Sequence, residues 1–177
     1  MYKDKVSIVI PVKENPNVVR GFVSGNLDIL KNYPVYVVNK EGGEILEKFY
    51  SYLKDTTLDM VAARKKGLEW VTTEFVVMLD VDTVLPKGFI DAALLVFSNH
   101  INVVVVALDY EKSQGHYAFG ASIWRTEILK DLYDIDPRKD LCECMQMWHK
   151  VQQSGFLIKT LNMRAEHLRK DVEYVGC

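Results

Sequence analysis

The chain has 177 residues and a formal net charge of -2, with 49% hydrophobic and 26% charged residues. That mixture excludes a disordered, collagen-like or disulfide-scaffold protein, and the near-neutral balance offers no basic field for nucleic acid. The length fits one domain over residues 1–177, since no repeat, low-complexity tract or Pro/Gly/Ser linker divides it, and such a chain buries roughly 70% of its unfolded surface.

Three cysteines make no disulfide framework. Cys142 and Cys144, even with His149, lack a fourth ligand at zinc spacing, so reduced thiols in a cytoplasmic protein are expected. Met1 to Lys5 run straight into a strand and do not read as a signal peptide. The longest apolar run, Val103 to Leu108 with Ile101 just before it, is far short of the ~20 residues that span a bilayer, so a soluble protein without a transmembrane segment is expected.

In chain order, Val6 to Val12 (VSIVIPV) reads as a buried strand because β-branched residues crowd it. Asn15-Pro16 starts a helix, proline fixing φ at its first turn, with Val18, Val19, Phe22, Val23, Leu27 and Leu30 as its apolar stripe. Pro34 precedes a short strand, Val35 to Val38. Gly42-Gly43 turn the chain, and Ile45, Leu46, Phe49 and Leu53 predict a helix over Glu44 to Leu53. Thr57 to Trp70 is a further helix, and Phe75 to Leu79 (FVVML) a strand running into Asp80-Val81-Asp82. Pro86 to Ser98 is helical, Val103 to Leu108 a strand, Tyr117 to Trp124 extended. Thr126 to Leu132 and Asp140 to Gln153 are helices, and Phe156 to Leu161 is a strand. Alternating strands and helices predict an α/β domain, a mainly parallel sheet with both faces covered. Ligands of such sheets sit beyond the carboxyl ends of the strands. Three of these ends are polar here: Lys13-Glu14-Asn15, Asn39-Lys40-Glu41 and Asp80-Val81-Asp82.

Thirteen aspartates in 177 residues produce about one Asp-x-Asp by chance, and Asp134-Ile135-Asp136 before Pro137 reads as a solvated turn. The pair at Asp80 and Asp82 differs in context. Residues two apart share a face in extended chain, so both carboxylates can meet one hard cation such as Mg²⁺ or Mn²⁺, completed by substrate phosphates. The bland reading is two aspartates that solvate a strand exit.

Val6-Ser7-Ile8-Val9-Ile10-Pro11 resembles the opening strand of the family 2 glycosyltransferases, which carry the nucleotide-binding, Rossmann-like GT-A fold. Ala63-Arg64-Lys65-Lys66-Gly67-Leu68 is similar to the family's Ala-Arg-Asn-x-Gly helix, and Thr73 to Asp82 to its Asp-x-Asp strand. Gly120-Ala121-Ser122-Ile123-Trp124-Arg125 resembles the glycine-led segment facing the acceptor, and the helix from Asp140 to Gly155-Phe156 the one that begins with the catalytic acid. The likeness covers residues 5 to 168, five motifs in order. It implies a nucleotide-diphospho-sugar donor, Mn²⁺ or Mg²⁺, and an acceptor that is a glycan, a lipid-linked group or a protein; a homo-oligomer is left open. By position, Pro11 and Glu14 would lie beside the base, Arg64 near the base or diphosphate, and Asp80 at the ribose. Asp82 would hold the metal, and His167 stands where many members place a histidine near it.

Two positions depart from the family. Asn39-Lys40 stands where an aspartate usually reads the base; an amide both donates and accepts, so it can still meet a uracil-type edge. The adjacent Glu-Asp of the catalytic helix aligns with Glu143 and Cys144, or Asp140 takes the role if the helix is one turn longer. Asp140 and Glu143 also fit a capping box. The resemblance implies inverting transfer, with Asp140 or Glu143 taking the acceptor proton. Two other classes stay open: a catalytically silent nucleotide-sugar-binding or scaffold domain, and a haloacid-dehalogenase-type phosphatase suggested by Asp80-Val81-Asp82-Thr83-Val84. Acceptor recognition falls to Asp109 to Trp124 or to a partner, with Lys112 to His116 as a lid or a plain surface loop.

Overall fold

A computed structural model describes residues 3–47, 50–109, 118–136 and 141–169. Nine strands and six α-helices are assigned among them: β1 (Val6–Lys13), α1 (Pro16–Gly25), α2 (Leu27–Leu30), β2 (Val35–Glu41), β3 (Ser51–Lys54), α3 (Met60–Glu69), β4 (Phe75–Leu79), β5 (Thr83–Val84), α4 (Phe89–Asn99), β6 (Val103–Asp109), β7 (Ala121–Arg125), α5 (Thr126–Leu132), α6 (Glu143–Gln153), β8 (Leu157–Arg164) and β9 (Glu166–His167). Seven strands make one sheet in the order β3-β2-β1-β4-β7-β6-β8, and β5 pairs with β9 separately. β3, β2, β1 and β4 run parallel, and β7 is antiparallel to β4 and β6.

The two-residue side-chain period divides β1 cleanly. Val6, Ile8, Ile10 and Val12 enter one core with Val19 and Phe22 of α1, Leu30 of α2 and Phe89, Ile90, Ala93, Leu94 and Phe97 of α4. Val9 enters the other with Leu68 of α3, Leu129 of α5, and Met147 and Val151 of α6. Helices therefore cover both faces, as the alternating pattern predicts.

Local chemistry sets several boundaries. The Asn15 side chain accepts from the Asn17 and Val18 amides at 3.0 and 3.1 Å, capping α1 ahead of Pro16, a cap worth about 1 kcal/mol. The predicted stripe to Leu30 is split at Asn26, which is buried. Its amide donates to the Phe22 and Thr83 carbonyls and accepts from Leu85 N–H, tying the end of α1 to β5.

The helix expected over Glu44 to Leu53 does not form. Among the described residues of this stretch there is a 3₁₀ turn, Glu44–Leu46, and Ser51–Lys54 becomes the edge strand β3, paired with Tyr36 to Asn39 of β2. Asn39 Oδ1 accepts from Gly43 N–H at 2.9 Å, and the open edge of β2 supplies ladder bonds that outweigh a weak apolar periodicity. The extended segment before Trp124 is β7 from Ala121; Tyr117 and the expected lid at Lys112 to His116 lie outside the described residues.

Candidate active site

Because β1, β2 and β4 are parallel, their carboxyl ends Lys13, Glu41 and Leu79 share one rim. Three groups of side chains gather there. In the first, Arg64 on α3 lies between Asp80 after β4 and Glu143 at the start of α6. Its Nη2 is 2.5 Å from Asp80 Oδ1, and its Nη1 donates to Glu143 Oε2. The Tyr133 hydroxyl donates to Glu143 Oε1, so both carboxylate oxygens are engaged. Phe119 stacks on Tyr133 and carries the Arg64 guanidinium 5.6 Å from its ring centroid.

Burial dominates this group. The Arg64 and Glu143 side chains are only 10% and 11% exposed. Burial pushes the Glu143 carboxyl above its ordinary value, against the pull of Arg64 and Tyr133. Burial works against the Arg64 charge, but Asp80 and Glu143 more than offset it and hold the guanidinium firmly protonated. Burial, then the charge of Glu143, drives the Tyr133 hydroxyl well up, keeping it a neutral donor.

The second group is Asp82, His167, Glu14 and Arg169. β9 pairs with β5 in the register Thr83↔His167, and Leu168 N–H donates to the Asp82 carbonyl at 2.7 Å. This brings His167 Nε2 to 3.3 Å from Asp82 Oδ2, while Nδ1 faces the Arg169 carbonyl at 3.1 Å. Arg169 pairs with Glu14 and lies 3.2 Å by Nε from Asp82 Oδ2. Burial favours a protonated Asp82, but the His167 hydrogen bond and the charges of His167 and Arg169 carry its carboxyl below the ordinary range. The hydrogen bond to Asp82 raises His167 in turn, against burial.

The third group lies at the end of β2. Asn39 is fully buried, and its amide donates to Tyr52 Oη at 2.5 Å and Glu44 Oε1 at 3.3 Å while accepting from Gly43 N–H. The side chain that aligns with the base-reading position is thus committed to its own loop. Gly42, at φ 82°, packs so tightly on the Glu14 carbonyl that any Cβ would overlap it. Pro11 is buried in β1 opposite Val38. Asp140 lies outside the described residues.

The model of glycosyl transferase family 2 matches residues 7–150. The chain belongs to glycosyltransferase family 2. No curated protein matches it by sequence. In fold it is similar to mannosyltransferase PcManGT from Pyrobaculum calidifontis in complex with GDP-Man and Mn²⁺, at TM-score 0.76 and 14% identity, over 96% of this chain and 59% of that one. Glucosyl-3-phosphoglycerate synthase from Mycobacterium tuberculosis, in complex with Mn²⁺ and UDP-glucose, gives TM-score 0.72 and 12% identity, over 98% and 74%. S. aureus TarS 1-349 gives 0.63 and 18%, over 89% and 58%. The mainly parallel, two-faced sheet of the family 2 chain is the GT-A arrangement, and the chain spans less than two thirds of two of these three structures.

The donor set of this family 2 site suits a hard divalent ion. Asp82 and His167 offer one carboxylate and one imidazole at the strand end. Among the described residues no three His, Cys, Asp or Glu side chains form a ready-made cage. Arg169 and Tyr133 are the residues that sequence reasoning missed. Arg169 sits two positions after His167, a spacing that keeps both on one side of an extended segment; Tyr133 carries no such signal.

Gly120 shows how closely the site is packed. Its carbonyl accepts from Asp80 N–H at 2.8 Å, and a Cβ there would overlap the Asp80 carboxylate, which Arg64 prevents from turning aside. Ser122 donates to the Phe119 carbonyl and Trp124 to Ser122, locking the turn from behind. Gly120→Ala is therefore expected to weaken nucleotide binding by about tenfold, equivalent to ~1.4 kcal/mol, with the fold retained. Calorimetric titration of a nucleoside diphosphate checks this, and unchanged affinity would show that Asp80 has room to move.

Proposed function

We propose that residues 1–177 are one glycosyltransferase domain that uses Mn²⁺ or Mg²⁺ to move a sugar from a nucleotide-diphospho-sugar to an acceptor hydroxyl with inversion. The observation that carries this reading is the Asp82–His167 pair at the carboxyl end of a parallel strand in a family 2 chain. The GDP-Man, UDP-glucose and Mn²⁺ bound by two structural relatives support the donor class and the metal. Asp82 and His167 would hold the ion, which supplies charge stabilisation to the leaving diphosphate. Pro11 and Glu14 flank the base, Asn39 shapes that end through Gly43 and Tyr52, and Asp80, steadied by Arg64, meets the ribose.

Glu143 is the proposed base. It takes the proton of the acceptor hydroxyl as that oxygen bonds to the anomeric carbon, while the bond from that carbon to the diphosphate oxygen breaks and the electron pair leaves with the diphosphate. Alignment of donor and acceptor supplies a large part of the rate. Asp140 is the alternative base. The acceptor class is a glycan, a lipid-linked group or a protein. Its proposed place of action is the cytoplasm; none of the helices among the described residues is long and apolar enough to cross a membrane.

Glu143→Gln tests the assignment. Turnover is expected to fall about 10²–10⁴-fold while the nucleotide dissociation constant changes little. Burial raises the Glu143 carboxyl, so the ionised base is lost as pH falls through a value above the ordinary ~4.3 of glutamate, and transfer declines on that acid side. The variant should lose this acid limb. A large loss in Asp140→Asn with turnover kept in Glu143→Gln would move the role to Asp140. One observation favours a second reading: both Glu143 oxygens are already bonded. Nucleotide-sugar binding with neither transfer nor donor hydrolysis would make the chain a silent binding domain. Family 2 membership sets the phosphatase alternative aside.

A further inference from the structure

The segment after β8 folds back across the rim and sets one guanidinium between two carboxylates from distant parts of the chain. Arg169 Nη2 pairs with Glu14 Oε1, and Nε lies 3.2 Å from Asp82 Oδ2. The segment is anchored by backbone: β9 is laddered to β5, and Leu168 N–H bonds the Asp82 carbonyl. Leu168 also packs 3.5 Å from the position of a Cβ on Gly21, in α1. The side chains of Glu14 and Asp82 are 11% and 15% exposed, and Arg169 bridges the two, beside His167 on Asp82.

The fit is incomplete in an informative way. The contact of Nε with Asp82 is close but not aimed as a hydrogen bond, and this buried N–H has no hydrogen-bond acceptor among the described residues. Buried donors are nearly always satisfied, and a guanidinium with a free edge matches the oxygens of a phosphate. The side chain as a whole is 37% exposed, more open than either carboxylate partner.

We propose that Arg169 is a built-in cation of the donor site: in the empty site it neutralises Glu14 and Asp82, and on donor binding it yields Asp82 to the divalent ion and turns its guanidinium to the diphosphate. The inference rests on the donor-site reading above. It makes Arg169 a competitor of the metal and a partner of the nucleotide, two effects of opposite sign from one side chain. A residue that only props the fold would weaken both.

The test is calorimetric titration of the full chain with Mn²⁺ alone, then with UDP, GDP, uridine and guanosine in saturating Mn²⁺, for wild type, Arg169→Met and Arg169→Lys. Losing a partly exposed charge contact of about 1 kcal/mol should tighten Mn²⁺ binding about fivefold in Arg169→Met. Diphosphate binding should weaken about tenfold, and that of the nucleoside without phosphates should not change. Arg169→Lys keeps the charge and should stay near wild type in the Mn²⁺ arm. Equal or weaker Mn²⁺ binding by Arg169→Met overturns the competition, and an equal loss for the bare nucleoside overturns the phosphate contact. Should Arg169→Met not fold, Arg169→Gln, uncharged and polar, runs the same arms. If wild type binds no nucleotide but Arg169→Met gains Mn²⁺ affinity, the built-in cation stands and the donor reading falls. If neither protein binds either ligand, both fall.

Discussion

Asp82→Asn is expected to remove metal-dependent nucleotide binding and to lower transfer about 10²-fold or more, because the carboxylate charge that would hold the divalent ion is gone. The amide keeps the volume, so the fold should persist: the backbone ladder between β5 and β9 does not use the side chain, and the Asp82 carbonyl still accepts from Leu168 N–H. The readout is titration of UDP, GDP, CDP and TDP with and without Mn²⁺. Binding of one nucleotide that depends on the metal and disappears in the variant identifies both the ion site and the base. An Asp82→Asn protein with wild-type turnover would falsify the metal role of this residue and leave the strand-end aspartates as a solvated exit.

The second large effect concerns stability as much as chemistry. Arg64→Met is expected to cost about 3 kcal/mol of unfolding free energy, because Asp80 and the buried Glu143 lose their shared counter-charge. Methionine fills much of the aliphatic volume against Phe119, so the loss reports charge rather than a cavity. The sign with pH follows. Burial already raises Glu143 and Arg64 opposes that, so removing Arg64 raises the carboxyl further. A folded carboxyl that holds its proton more tightly than the unfolded one stabilises at low pH and loses that contribution as pH rises through its folded value. The deficit of Arg64→Met should therefore be greatest near neutral pH and shrink towards about pH 4, where the unfolded carboxyls are also protonated. Denaturant unfolding at both pH values checks this; a deficit below about 1 kcal/mol, or one that grows in acid, contradicts the buried-pair account. Adding Glu143→Gln should restore part of the loss, since one of the two stranded charges is then removed.

Much of the fold is written in local pattern. Val6 to Val12 and Phe75 to Leu79 are apolar runs with nowhere to go but a two-faced sheet, and the structure buries both. Asn15-Pro16 caps and starts a helix through bonds within three residues of itself. Asp80 and Asp82 stand at a strand end because the apolar run stops there, and a parallel sheet then places them with Glu14 and Asn39 on one rim. Each of these inferences needs only nearest neighbours in the chain and the side-chain period of a strand or helix.

Where the energy comes from distant partners, the sequence is silent. The text from Glu44 to Leu53 has a helical stripe, yet Ser51–Lys54 is a strand because the edge of β2 offers it ladder bonds. Asn39 aligns with a base reader, but Gly43, Tyr52 and Glu44 take its amide. Glu143 is a helix-start acid by sequence; only packing brings it to Arg64 from α3 and Tyr133 from the end of α5. Asp82 and His167 meet because two short strands pair far apart in the chain, and Arg169 follows them into the site. The sequence by itself determined the α/β class, the polar rim and the aspartate pair, because these depend on local periodicity and strand ends. Tertiary structure decided which charges face one another, because a buried ion pair is set by the path of the chain through space and leaves no spacing rule to read.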